Sequence, residues 1–146
     1  VPEDNGMNYI DRVETDWAFR IQLPIGTNVP FHCTASGKCF LSSLKKREIN
    51  GILSSIKLEA ITEKTHVTPE GLMQELNQIK KQGYALDREE FMEGMIAIAV
   101  PIKDKENRFV GALAFHGPTQ RISIKNAVER KDTLLNASQK LQEHLF

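Results

Sequence analysis

Spacing decides which side chains of this chain could do chemistry together. Cys33 and Cys39 are the two cysteines, and His32 adjoins the first. Neighbours in extended chain point to opposite sides, so His32 and Cys33 cannot form a nucleophile–base dyad. On one continuous helix His32 and Cys39 would stand about 10 Å apart along the axis. A general base works at ~3 Å from its nucleophile. A catalytic cysteine would need a distant partner, and buried structural cysteines are the commoner case. Five residues separate the two cysteines, outside the usual zinc clip, and His32, His66, His116 and His144 are scattered, so no metal centre is predicted. Glu89, Glu90 and Glu93 read as a solvated turn after Asp87 rather than as an acid–base cluster. Neither a nucleotide-binding loop nor a triad motif is present, and no cofactor is implied.

Anion capture is better supported. Thr34-Ala35-Ser36-Gly37 is a run of small residues at a predicted helix start. Unpaired backbone N–H groups and the positive end of the helix dipole make a seat for a carboxylate or phosphate there. The alternative is an ordinary N-cap by Thr34 with close helix packing. A second small-residue feature lies downstream. Ile96, Ile98, Val100 and Ile102 share one strand face, and Met95, Ala97 and Ala99 the other. In the next run Phe109, Gly111, Leu113 and Phe115 alternate with Val110, Ala112, Ala114 and His116. Paired as a hairpin, Ala97, Ala99, Ala112, Ala114 and His116 form a surface of missing volume. It either receives a close-packed helix or walls a cavity.

The elements that must position these residues follow from periodicity and punctuation. Asn8–Val13 and Phe19–Leu23 alternate like half-buried strands, with a turn at Asp16. A helix is predicted from near Thr34 to Ser42-Ser43, and a short second one over Arg47–Ser54, weakened by Gly51. The best-marked helix has Thr68 as N-cap and Pro69 at its first position. Leu72, Leu76 and Ile79 form its apolar stripe, with Met73 on the flank, and Gly83 stops it. Tyr84–Asp87 starts a third strand, the hairpin follows, and one final helix runs from Ser123 to the chain end. This order predicts an α+β fold, an antiparallel sheet flanked by helices that bury both faces.

At 146 residues the chain fits one domain with a sizeable core. Its 19 basic and 19 acidic residues balance, leaving no electrostatic footprint for nucleic acid. The nearest thing, Lys45-Lys46-Arg47, meets Glu48 at once and reads as a solvated helix start. No apolar stretch approaches the ~20 residues a membrane-spanning helix needs. The first residue is not Met, so the chain is expected to be a fragment, and two cysteines in one segment fit a reducing cytoplasm.

Two separated segments carry a family resemblance. GTNVPFHCTASGKCFLSSL resembles the stretch that opens the first helix of the effector-binding domain in IclR-type transcriptional regulators, and GYALDREEFMEGMIAIAVPI with FVGALAFHGPTQRIS resembles that domain's second signature. TPEGLMQELNQIKKQGY lies between them at the family's spacing. The resemblance implies a GAF-like fold over residues 1–146 that binds a small metabolite and acts on a winged helix-turn-helix domain absent here. It also implies that the strand normally preceding Tyr9 is missing. Related regulators form dimers and tetramers, so a homodimer or homotetramer is expected, with DNA contacted only through the absent domain and no membrane role. In members that sense small oxo-acids, the ligand carboxylate meets backbone N–H groups corresponding to Ala35 and Ser36. Apolar walls correspond to Ile21 and Val29, and an acidic residue to Asp87. A Cys and two Ser correspond to Ala97, Ala114 and His116, so the polar partners of a tiny oxo-acid are largely gone. A larger, partly apolar organic acid is expected, with His116 and Asp87 either touching it or closing local turns. The rival readings are an enzyme using Cys33 or Cys39, and a dimerisation module whose pocket has closed.

Overall fold

The computed structural model describes residues 1–13 and 23–146. The short strands β1 (Pro2–Glu3), β2 (Gly6–Asn8) and β3 (Asn28–Val29) form one antiparallel sheet in that order. Helices α1 (Ala35–Ser42), α2 (Lys46–Ser55) and α3 (Pro69–Gln82) follow. A second antiparallel sheet, β4 (Ala85–Arg88), β5 (Met95–Lys103) and β6 (Phe109–Pro118), is built around the predicted hairpin. Helices α4 (Ile124–Glu129) and α5 (Lys131–Leu145) close the chain. The architecture is α+β, as expected.

The β4–β5–β6 sheet is a divider with unlike sides. Leu86, Ile96, Ile98 and Phe115 face α4 and α5, where Ile122, Ile124, Ala127, Val128 and Leu134 complete a cluster. The other side carries Ala85, Ala97, Ala99, Ala112 and Ala114 and receives α1. Small residues there let a helix approach the sheet closely. Around α1 the core continues through Met7, Val29, Phe31, Cys39 and Leu41 into Leu72, Leu76 and Ile79 of α3.

The helix ends match their punctuation. Thr34 and Thr68 each cap with a side-chain oxygen that accepts from the backbone N–H of Gly37 and Gly71 respectively. Gly83 terminates α3 in the left-handed region at φ 85°, where a Cβ is strained. Gly37 is needed for a different reason. A Cβ built there would lie 2.4 Å from the carbonyl oxygen of Phe31 and 2.5 Å from its Cα. Backbone cannot step aside cheaply, so α1 starts where it does because residue 37 has no side chain. Gly37→Ala is expected to lower stability by about 1–3 kcal/mol in urea denaturation. An unchanged midpoint would show that Phe31 yields.

Four expectations need correction. The strand predicted over Asn8–Val13 ends at Asn8, although the Tyr9 N–H still reaches the Thr27 carbonyl at 3.0 Å. Beyond it Ile10 is 62% and Val13 99% exposed, so their alternation meets no core. The final helix is two helices, interrupted at Arg130, which terminates the first and begins the second. Phe109 was expected on the face of Gly111, Leu113 and Phe115. A bulge opposite Ile102/Lys103 pairs Ile102 with Gly111 but Lys103 with Phe109, and one extra residue reverses strand parity. Phe109 therefore turns to the α1 side, 5.3 Å from the Phe40 ring. Glu90, expected in a solvated turn, is 3% exposed. The strand predicted over Phe19–Leu23, its turn at Asp16 and the wall residue Ile21 lie outside the described residues, apart from Leu23, which is not in a strand. Lys45, Lys46 and Arg47 are exposed at the start of α2, as their charge suggests.

Candidate functional site

Strand register brings the scattered candidates into rows. Asp87 pairs with Ala97, and Ala97 with His116, so the three form one line across β4, β5 and β6. Ala85, Ala99 and Ala114 form the next line on the same face. Strands lie ~4.8 Å apart, so Asp87 and His116 flank Ala97 as two polar posts about 10 Å apart. The face is then divided by exposure. Ala85 and Ala99 are fully covered, whereas Ala114 and His116 at the β6 end are only half-buried. Of the alternatives left open by the sequence, the close-packed helix is realised over the inner alanines, where α1 lies; the outer part of the face keeps some accessible surface. Two clefts, of about 220 and 390 Å³, are lined by α1–α3 residues such as Met73 and Lys80, and by Phe31, His32 and Ile56. Neither includes the Asp87–Ala97–His116 line.

The first turn of α1 supplies the amides. Thr34 Oγ1 accepts from Gly37 N, and Lys38 N donates to the Thr34 carbonyl. The amides of Ala35 and Ser36 are those that helix geometry leaves outside the intrahelical ladder. Both residues are nearly covered, at 2% and 7% exposure. Val29, expected as an apolar wall, is fully buried in β3 within the core around α1.

Asp87 is 1% exposed, and its Oδ1 accepts from Glu90 N at 2.8 Å. It closes a turn, one of the two roles the sequence left open, and still lines the small-residue face. Burial, with the Glu90 charge adding, pushes its carboxyl up to about 7. Tyr9 is pushed up to about 12 by burial and by the Asp87 charge, and its ring lies 6.3 Å from that of His116. Burial, reinforced by the Arg12 charge, holds His116 below the usual imidazole value. An imidazole biased toward its neutral form and a carboxyl biased toward its protonated form therefore stand on either side of Ala97, each able to donate a hydrogen bond in that form.

The sign of the Asp87 shift makes a prediction. Its folded value exceeds the unfolded one of 3.8, so the folded chain holds this proton more tightly. The stability so gained is complete below pH 3.8 and is lost as pH rises to about 7. Asp87→Asn keeps an acceptor for Glu90 N and never ionises. It is expected to match wild type near pH 4 and to exceed it by about 2–4 kcal/mol at pH 8, read from urea denaturation at both values. A constant difference across that range would rule out the linkage.

The cysteines are not poised for nucleophilic chemistry. Burial pushes Cys33 up to about 12, with the Asp87 and Glu90 charges adding, and burial likewise pushes Cys39 up to about 12. Thiols so placed stay protonated at neutral pH.

Sequence reasoning missed a buried ionic cluster that involves the first turn of α1. Lys38, in the first turn of α1, has no exposed surface. Its ammonium donates to both Glu90 carboxylate oxygens at 2.8 Å and also to Glu75 of α3. His66 bonds the other Glu75 oxygen at 2.7 Å. Burial works against ionised Glu75, but the Lys38 charge and hydrogen bond, then His66, outweigh it and hold its carboxyl below the usual range. Ligand atoms of His66, Glu75 and Glu90 converge within 4.8 Å, a grouping that could hold a metal ion; here an ammonium already contacts both carboxylates. The available signal was one lysine inside the small and apolar run ASGKCFL, where a solvated charge has no place.

Residues 1–143 match the family described as "Bacterial transcriptional regulator IclR C-terminal". The probable transcriptional regulator SauR of Cupriavidus necator is 37% identical over 116 residues, which are 80% of this chain and 46% of that protein. The C-terminal domain of Escherichia coli transcriptional regulator KdgR superposes with a TM-score of 0.76 at 34% identity, covering 82% of this chain and 73% of that one. The inducer-binding domain of PobR from Acinetobacter, a double mutant in complex with 3-hydroxybenzoic acid, gives a TM-score of 0.78 at 26% identity, covering 82% of this chain and 69% of that one. This chain spans about half the length of the curated relatives it matches.

Proposed function

The chain belongs to the IclR family of bacterial transcriptional regulators, whose C-terminal domain it matches, and we propose that it senses a small carboxylic acid with a partly apolar body. One observation carries this reading: the Asp87–Ala97–His116 line lies on the small-residue face that also receives α1, whose first turn presents the Ala35 and Ser36 amides. The acid's carboxylate is seated on those amides and its body lies over Ala97 and Ala114. A hydroxyl or second polar group meets Asp87 or His116. Ile21 and Val29 complete the apolar wall in this proposal. Ala97 and Ala114 offer no hydrogen bonds, so a tiny oxo-acid would leave polar atoms unpaired at about 1–3 kcal/mol each. A neighbour crystallised with 3-hydroxybenzoic acid supports an acid of that size.

The role is regulatory rather than enzymatic, in keeping with relatives named as transcriptional regulators and repressors and with two protonated, buried cysteines. In the full regulator, effector binding changes how copies of residues 1–146 associate, as a homodimer or homotetramer, and thereby the spacing of DNA-binding domains. An effector shifts that equilibrium only by binding the two arrangements with different affinity.

Thermal denaturation with 3-hydroxybenzoate, benzoate, pyruvate and glyoxylate tests the reading. A cognate-sized acid at about 100 times its Kd adds about 2.7 kcal/mol, roughly 5–10 °C in Tm for a domain of this size. The aromatic acids are expected to raise Tm and the two oxo-acids to leave it unchanged. No shift with any organic acid would favour the closed interaction module.

A further inference from the structure

The turn between β4 and β5 is tied down more thoroughly than a connecting loop requires. Glu90 N donates to Asp87 Oδ1, and its carbonyl accepts from Thr65 Oγ1 at 2.6 Å. Its carboxylate takes the Arg88 N–H at 2.9 Å as well as the Lys38 ammonium. Glu89, between Asp87 and Glu90, sits at φ 58°, left-handed backbone that a non-glycine residue rarely adopts. Such a conformation persists where its surroundings over-determine it. The partner of Glu90, Lys38, is one residue beyond Gly37 in the α1 turn that presents the Ala35 and Ser36 amides.

Charge counting gives this cluster a second property. One buried ammonium faces two carboxylates, Glu75 and Glu90. Lys38 is thereby engaged by Glu75 and Glu90, and among the described residues no ammonium is hydrogen-bonded to Asp87; the Lys38 charge reaches it only through space. From the described elements, the titratable groups acting on Asp87 are Tyr9, Cys33, Lys38 and Glu90, with His116 two strands away.

We infer that Lys38 and Glu90 are positioning residues of the effector site: their buried pair pins the amide-bearing turn of α1 to the turn that aims Asp87, and it withholds the ammonium from the ligand. This inference rests on the proposed seating of a carboxylate at Ala35 and Ser36. It deepens that proposal by stating why the acid is read by amides and a protonated carboxyl rather than by a lysine.

The test compares wild type, Glu90→Gln and Lys38→Met. Asp87 is titrated by carboxyl ¹³C NMR in the ligand-free chain, amide exchange is followed at residues 37 and 38, and 3-hydroxybenzoate affinity is measured from pH 6 to 8. Removing the Glu90 charge moves the Asp87 midpoint acid-ward, and removing the Lys38 charge moves it alkaline-ward. Both variants lose exchange protection at the amides of residues 37 and 38, which are bonded to Thr34, and bind the probe at least tenfold more weakly. Should Lys38→Met fail to fold, the Lys38→Met/Glu90→Gln double variant removes both charges; it is expected to lose the protection while Asp87 titrates near its wild-type midpoint. Midpoints that stay put or move together, with unchanged protection, overturn the inference, since general loosening would not drive Asp87 in opposite directions. If the wild-type chain ignores the probe while the midpoints diverge as stated, the pinning pair stands and the effector reading for this acid falls.

Discussion

Lys38→Met is expected to remove about 3–5 kcal/mol of stability and to lower Tm by roughly 10 °C or more. The lysine has no exposed surface and pairs with Glu90, itself 3% exposed. Taking the ammonium away strands a carboxylate that water cannot reach and leaves Glu75 with only His66. The cost therefore comes from the orphaned charges rather than from the lost contact. Adding Glu90→Gln to Lys38→Met removes the worst of them. The double variant is expected to recover more than half of the loss, a non-additivity characteristic of groups in one network. Urea denaturation of the two singles and the double completes the cycle. A Lys38→Met protein within about 1 kcal/mol of wild type would mean that the cluster is hydrated in solution and bears little of the fold's stability.

Ala114→Leu is expected to weaken binding of 3-hydroxybenzoate at least a hundredfold while changing stability by less than about 1 kcal/mol. Ala114 is half-buried on β6, paired with Ala99 on the face that carries the Asp87–Ala97–His116 line. A leucine there occupies the space assigned to the ligand's apolar body. Ala99→Leu is the contrasting substitution. Ala99 is fully buried in the cluster that α1 completes, and overpacking it is expected to cost about 1–3 kcal/mol or more. Calorimetric titration and denaturation of both variants separate the two situations. Equal destabilisation by both would show the outer face to be as filled as the inner one, and the sensing proposal would lose its cavity.

Several features were legible because they depend on local rules. Thr68, Pro69 and Gly83 delimited α3 before any tertiary contact was known, since caps and the left-handed stop are properties of a few adjacent residues. Alternation over Met95–Lys103 and Phe109–Pro118 separated an isoleucine face from an alanine face, and the hairpin register preserved that separation. The capped helix start at Thr34–Gly37 was legible for the same reason: its small side chains and N-cap are written consecutively.

What failed, failed where burial or strand parity was decided at a distance. Ile10 and Val13 read as part of a half-buried strand yet stand in solvent, because no element is placed to cover them among the described residues. A single bulged residue sent Phe109 to the opposite side of the sheet. Glu90 sits in an acidic segment that reads as solvated, and nothing within that segment announces an ammonium from residue 38. Local spacing, periodicity and family likeness thus determined the α+β class, the limits of α1 to α3 and the small-residue face. The third dimension alone decided which charges are buried, how Asp87 comes to hold its proton near neutrality, and how far α1 covers the alanine surface. Those outcomes depend on partners 37 to 52 residues apart in the chain, and the field and packing of such partners leave no periodic trace in a linear sequence.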